Sequence, residues 1–488
     1  MRSFRTELET ADRTGKRSVV ERDIIELEKK IRLFREGGVD EEKFRSLRLA
    51  RGVYGQRQPG VQMVRIKIPF GRLDADQLVR IADLADEYAS GTLHATTRQD
   101  IQIHYVSLDR TPELWARLEE GGITLREACG NTVRNVTAGE KAGIDPAEPF
   151  DVSPYADAVF RWFLRNPVCQ EMGRKFKIAF ASNERDDSFT LIHDLGFIPR
   201  VRQVDGAEER GFLVMAGGGL GAQPFLALKA DEFLPEDRLI PFIEATLRIF
   251  DRYGERTRRN KARFKYILQE WGLERYLEAV RAEWPALSAQ RVVIDRDAVP
   301  PPKPAPEEAF GPASIQDPKR YADWSATNVF PQKQEGWFGV CVRVPLGNLG
   351  SDLARRFAET ARRFASDDIR ITINQGYLLR FVRPDALPHL YLALDALGLA
   401  EPGFDSTADI TACPGTDTCN LGISNSTGAA LALESVVREE FPELVHERDI
   451  RIKISGCMNS CGQHGIAHIG FHGSSIRKGQ RVLPALQV

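Results

Sequence analysis

Four of the seven cysteines in this chain are spaced for metal chemistry. Cys413 and Cys419 stand in Cys-Pro-Gly-Thr-Asp-Thr-Cys, and Cys457 and Cys461 in Cys-Met-Asn-Ser-Cys. Four thiolates brought together make a site for a soft metal. Zinc knuckles favour tight spacers in both pairs, which the longer Cys413–Cys419 loop fits badly. A [4Fe–4S] cube is larger and takes cysteines from several loops at wider spacing. Gly415, Gly422, Gly456 and Gly462 let the backbone turn closely around the quartet. Four buried structural cysteines are the rival reading. Cys129, Cys169 and Cys341 have no such partners and read as core residues.

A second chemistry lies in strands with basic residues at alternate positions, which point to one face. In Val64–Ile68, Arg65 and Lys67 oppose Val64, Ile66 and Ile68; in 175–180, Lys175 and Lys177 oppose Phe176, Ile178 and Phe180. Such faces can fix an anion, although a solvated strand face is the default for a lone Lys-x-Lys. Gly217-Gly-Gly-Leu-Gly-Ala follows the apolar Phe212–Ala216 and formally fits a dinucleotide fingerprint. That fingerprint needs a helix directly after it and an acid further on. Pro224 comes soon after, and 225–236 gives no clear βαβ unit. Backbone amides cradling carboxylates explain the glycines equally well.

The elements that must position these groups are legible in part. A length of 488 residues suggests about three domains. Apolar residues at 42% and charged residues at 28% are ordinary globular composition. A net charge of -2 argues against nucleic-acid or membrane-surface binding by the chain as a whole. No apolar run is long enough to span a bilayer. Met1–Val20 has no secretory core and mixes acids with its arginines, and the odd cysteine count suits no disulfide framework. These features together predict a reduced, cytoplasmic protein. Ile24, Leu27, Ile31 and Phe34 predict an amphipathic helix over 21–36 within an N-terminal arm (1–54). The proline-rich run at 299–306 reads as a stiff linker dividing two halves.

Those halves are related. Residues 61–106 superpose without a gap on 337–382. Pro69, Gly71, Leu73 and Asp76 meet Pro345, Gly347, Leu349 and Asp352; Ala85, Thr96 and Gln99 meet Ala361, Thr372 and Gln375. Both copies read strand, Pro-x-Gly turn, helix, strand, with Asp74 and Gln77 placed as an N-cap and its capping-box partner. One such unit buries its apolar face poorly alone, and two around a pseudo-dyad bury it well.

The cysteine quartet resembles the cluster motif of the sirohaem-dependent sulfite and nitrite reductases. Met63-Val-Arg-Ile-Lys, Asn131-Thr-Val-Arg-Asn and Arg174-Lys-Phe-Lys resemble the three segments that carry that family's substrate-binding cations. The resemblance covers roughly residues 45–475. It implies that Cys413, Cys419, Cys457 and Cys461 hold a [4Fe–4S] cluster, with Cys461 also the axial ligand of sirohaem. It implies that Arg65, Arg134, Lys175 and Lys177 face the oxyanion. Lys177 favours sulfite, because plant-type nitrite reductases tend to carry asparagine there. Thr96-Thr-Arg-Gln-Asp-Ile-Gln-Ile-His resembles the sirohaem strand, which assigns cofactor contacts to Arg98, Gln102 and His104. Gly217, Gly218 and Gly219 would line the same pocket, Arg259 and Arg263 would bind its carboxylates, and Asn374 and Gln375 would add a weaker contact.

The expectation is therefore an internally duplicated α+β protein. Paired ferredoxin-like half-domains (55–115 and 330–390) join two α/β cofactor-binding domains (116–295 and 391–488), with 296–329 as linker. Its expected reaction is six-electron reduction of sulfite to sulfide, with nitrite reduction as the alternative. No flavin or convincing nicotinamide site is visible, so electrons would come from ferredoxin or a separate flavoprotein subunit. Family members continue with a further strand, Gly-Gly turn and helix, whereas this sequence stops at Val488. That difference raises a third reading, a truncated or non-catalytic iron–sulfur subunit.

Overall fold

The computed structural model describes residues 18–488, so most of Met1–Val20 lies outside the described residues. The arm contains the expected helix, Val19–Arg35, with Ser18 and Glu21 forming its capping box and Ile24, Leu27 and Ile31 buried. No described helix is long and apolar enough to cross a membrane.

Two five-stranded sheets carry the paired half-domains. The first runs Val53–Gly55, Val61–Ile66, Ile101–Ser107, Thr92–Ala95 and Asn348–Gly350; the second runs Val329–Pro331, Phe338–Val342, Tyr377–Val382, Ile369–Ile371 and Arg72–Leu73. Each sheet therefore ends on a strand lent by the other copy: Leu349 pairs with Leu93, and Leu73 with Ile369. This exchange explains the repeated Pro-x-Gly turn. A Cβ on Gly71 would stand 2.6 Å from the carbonyl oxygen of Ile371, and one on Gly347 2.4 Å from that of Ala95. Both glycines also adopt left-handed backbone, at φ 71° and 69°. The helices Ala75–Tyr88 and Ser351–Phe364 pack together in one core shared by both copies. Asp74 caps the first, its carboxylate accepting from the Gln77 amide at 2.7 Å. Its counterpart starts at Gly350 without a side-chain cap.

The proline-rich stretch read as a stiff linker runs along the half-domains. Between Ala286 and Pro318 it has no helix or strand, yet it is strapped to the half-domains. Pro300 accepts a bond from Arg72, Lys303 accepts one from the Asp367 amide, and Phe310 packs on Phe364.

The duplication extends further than the sequence comparison reached. Thr137–Ala138, Ile178–Phe180 and Leu195–Val204 run parallel, and Ala207–Ala216 returns antiparallel. Thr411–Ala412, Ile452–Ser455, Ile469–Lys478 and Arg481–Gln487 repeat that pattern. Thr137 pairs with Ala179 where Thr411 pairs with Lys453. Gln99 and Gln375 tie each half-domain to its neighbouring sheet, bonding Ala138 and Ala412 respectively.

Candidate functional site

The cysteine loops lie where the parallel strands of the last sheet end. Cys413 follows Thr411–Ala412, and Cys457 follows Ile452–Ser455. All four thiols are free, with Cys457 buried, Cys413 and Cys419 half-buried and Cys461 exposed. Their charges act on one another: after burial, Cys461 raises Cys413, and Cys461 and Cys457 raise Cys419. Backbone and side-chain amides point at three of the sulfurs. Gly456 donates to Cys413 at 3.2 Å, Leu421 to Cys419 at 3.4 Å and Asn459 to Cys457 at 3.4 Å. Amides aimed at thiolates suit metal-bound sulfur and tune a cluster's potential. Among the described residues no three Cys, His, Asp or Glu side chains converge on one metal position. A cube asks for no such convergence, because each thiolate takes its own iron. Two of the other cysteines are inert: burial pushes the Cys169 and Cys341 thiols up to about 12.

Across from Cys461 stands a group of enclosed cations. Arg65 comes from Val61–Ile66, and Gln102 faces it in register on Ile101–Ser107. Turned to satisfy both groups, the Gln102 amide oxygen accepts from Arg65 Nε at 3.0 Å. Arg134 is braced by the carbonyls of Gly130 and Ala128 at 3.0 and 3.2 Å. Arg98 bonds His193 at 2.7 Å and the carbonyl of Asn135. Lys175 and Lys177 are partly reached by solvent but enclosed by protein. Burial, then Arg134 and Arg263, holds Lys175 well below the ordinary lysine range; burial, then Arg98 and Lys175, does the same to Lys177. Thr97, next to Arg98, donates to the Cys461 carbonyl at 2.9 Å, which sets this residue beside the cation group, and the Cys461 charge acts against both lysine shifts. Carboxylates answer few of these charges: Arg263 pairs with Asp194 at 2.9 Å, and Arg65 approaches Asp100 at 4.0 Å. Buried Nε atoms of Arg98, Arg174 and Arg263 have no partner. A surplus of enclosed cation with unspent donors fits a polycarboxylate macrocycle and a small oxyanion. His104 lies on the same strand as Gln102, and burial, then His94 and Arg65, lowers it to about 3.

Other expected contacts fall differently. The amides of Gly217 and Gly219 are spent on Asp194 and Phe225 at 2.9 Å, so neither can cradle a carboxylate. Gly218 is wedged against the carbonyls of Leu191 and His193. No helix follows these glycines, which removes the dinucleotide reading. The loop instead faces Arg263 and Lys265, whose ammonium binds the carbonyls of Gly219 and Leu220 at 3.2 Å. Lys265 lies two residues after Arg263 in the same basic run but is not among the expected contacts. Arg259 is exposed at the edge of the group, where its charge lowers Arg174 after burial does. Asn374 and Gln375 sit apart from this group: Asn374 bridges Asp405 and Lys453, and Gln375 bonds Ala95 and Ala412. The pseudo-dyad places them in the other copy, where their amides serve the fold. A cavity of about 530 Å³ near Leu234, Phe242 and Trp284 shares no residue with either centre.

A cysteine quartet beside enclosed cations, on a duplicated α+β frame, defines an iron–sulfur oxidoreductase acting on a small oxyanion. Comparison narrows the class. The family described as "Nitrite/Sulfite reductase ferredoxin-like half domain" matches residues 54–121 and 330–397, and "Nitrite and sulphite reductase 4Fe-4S domain" matches 129–287. The second match falls on the copy that lacks the quartet. An assimilatory ferredoxin-dependent nitrite reductase of Haloferax mediterranei is 29% identical over 90% of this chain and 75% of its own length. Sulfite reductase (ferredoxin) 1 of Mycolicibacterium paratuberculosis is 27% identical over 86% of this chain and 70% of its own. The solved Mycobacterium tuberculosis NirA protein superposes with a TM-score of 0.78 at 26% identity, covering 92% of this chain and 81% of that one. The chain belongs to the sirohaem- and [4Fe–4S]-dependent sulfite and nitrite reductase family.

Proposed function

We propose that this chain reduces sulfite to sulfide, using electrons from ferredoxin. Cys413, Cys419, Cys457 and Cys461 would hold the [4Fe–4S] cluster, and the cluster and sirohaem, when bound, would supply the electrons for reduction of the oxyanion. Arg65 and Arg134 then act as fixed positive charge toward the oxyanion, Arg134 being held in place by backbone carbonyls. Lys175 and Lys177 both bind and donate. Their depressed proton affinity makes them ready proton sources once an anion has drawn protons onto them.

The observation that carries sulfite over nitrite is the second lysine, Lys177, enclosed beside Lys175, Arg98 and Arg263. A more highly charged anion gains more from each added cation. Nitrite is the rival substrate, supported by the name of the Haloferax relative. Ferredoxin as donor rests on the names of both relatives. Leu421 and Met458, 55% and 50% exposed beside Cys419 and Cys457, give such a donor an apolar landing point. Steady-state assays with reduced ferredoxin test the reading: kcat/KM for sulfite should exceed that for nitrite, with sulfide as product. A higher value for nitrite would overturn it.

A further inference from the structure

The copy without the quartet holds a second cluster of oxygen ligands at the corresponding place. A shift of 274 residues carries Gly139, Asp145, Asn183 and Asp187 onto Cys413, Cys419, Cys457 and Cys461 (139 to 413, 145 to 419, 183 to 457, 187 to 461). The backbone follows the same shift. Gly139 donates to the Phe180 carbonyl at 3.0 Å where Cys413 donates to Ile454 at 3.2 Å. Asp186 bonds Asn183, and Phe189 bonds Asp186, where Ser460 bonds Cys457, and Gln463 bonds Ser460. Asp186 and Phe189 share left-handed backbone with Ser460 and Gln463.

At the place of the Cys413 side chain the first copy puts oxygens. A Cβ on Gly139 would stand 2.0 Å from Ser182 Oγ and 2.1 Å from Asp187 Oδ2, so both atoms face one small volume. Ser182 Oγ and Asp187 Oδ2 face only each other, and Glu140 Oε2 has no hydrogen-bond partner, although Ser182 is fully buried and Glu140 is only 7% exposed. Neighbouring cations are engaged elsewhere: Lys141 lies over the Phe330 ring at 4.4 Å, Lys453 binds Asn374 and Thr411, and Arg451 pairs with Asp405. Burial, then the Asp187 charge, pushes Glu140 up to about 8, and burial pushes Asp187 up to about 6. Only Lys141 among these cations eases Glu140 directly, and two enclosed carboxylates with so little counter-charge are costly unless they are protonated or a cation joins them.

We infer that Glu140, Asp187 and Ser182 form a site for a hard divalent cation, Ca²⁺ or Mg²⁺, at the pseudo-dyad mate of the iron–sulfur centre. The two repeats thus divide by ligand softness: thiolates in one, carboxylate and hydroxyl oxygens in the other. Two carboxylates neutralise a divalent ion, and the hydroxyl adds a third hard oxygen ligand.

The test uses the holoenzyme, dialysed against EDTA and then against CaCl₂ or MgCl₂, with bound elements measured after equilibrium dialysis. Wild type should bind about one Ca²⁺ or Mg²⁺ per chain, and its melting temperature should rise when the ion is added back. Asp187→Asn and the isosteric Glu140→Gln should each weaken binding at least about tenfold, with iron and sulfide content unchanged. If Asp187→Asn fails to fold, Glu140→Gln decides alone. Absence of divalent binding by wild type at millimolar ion, or undiminished binding in the folded variants, would overturn the inference.

Discussion

Replacing Lys177 with asparagine separates substrate choice from folding in one experiment. The lysine backbone is fixed, its amide donating to Asp194 at 2.8 Å, so the change acts through the side chain. A lost charge-assisted hydrogen bond costs about 1.5–3 kcal/mol, which lowers kcat/KM for sulfite roughly 10- to 150-fold. A singly charged anion loses about half that free energy, so kcat/KM for nitrite should fall only about 3- to 12-fold. Stability should move the other way. Burial, then Arg98 and Lys175, holds Lys177 well below its ordinary value of 10.5 in the anion-free fold. For a base depressed on folding, the penalty is full below the folded value and disappears as pH rises to the ordinary one. At neutral pH the asparagine variant, freed of cofactor and anion, should therefore melt higher than wild type. Assays with reduced methyl viologen and both substrates, alongside melting curves of the apo-protein, check both halves. Equal losses on sulfite and nitrite, or a lower apo melting temperature, would refute the reasoning.

Three further outcomes are expected. Cys457→Ser should lose the cluster, whereas Cys341→Ala, at a buried inert thiol, should keep it; iron and acid-labile sulfide assays distinguish them. Gly347→Ala should destabilise the fold by more than the roughly 1–3 kcal/mol of left-handed backbone strain, because its Cβ would meet the Ala95 carbonyl at 2.4 Å; denaturant titration measures the loss. Leu421→Glu and Met458→Glu should raise KM for ferredoxin while leaving methyl-viologen turnover near wild type, and a matching loss with both donors would argue against docking at that face.

What the sequence determined by itself is local or repeated. Cys413, Cys419, Cys457 and Cys461 stand out because cluster ligands come from short loops with fixed spacing. Arg65, Lys175 and Lys177 stand out because a strand alternates its faces. Asp74 with Gln77 marks a helix start, because a cap is satisfied within one turn. The half-domain repeat is legible because each copy keeps the same turn and core residues. Tertiary structure decided the rest, where the cause lies far along the chain. Gly71 and Gly347 are glycines because a strand of the other copy passes within contact distance. Lys265 joins the glycine loop only once the fold brings helix and loop together. Gly217 and Gly219 spend their amides on Asp194 and Phe225, and the pseudo-dyad turns Asn374 away from the cations. The repeat of the cofactor sheets survives in hydrogen-bond register, not in residue identity, because backbone pairing tolerates almost any side chain. That is why the oxygen cluster facing Gly139 became visible only in three dimensions.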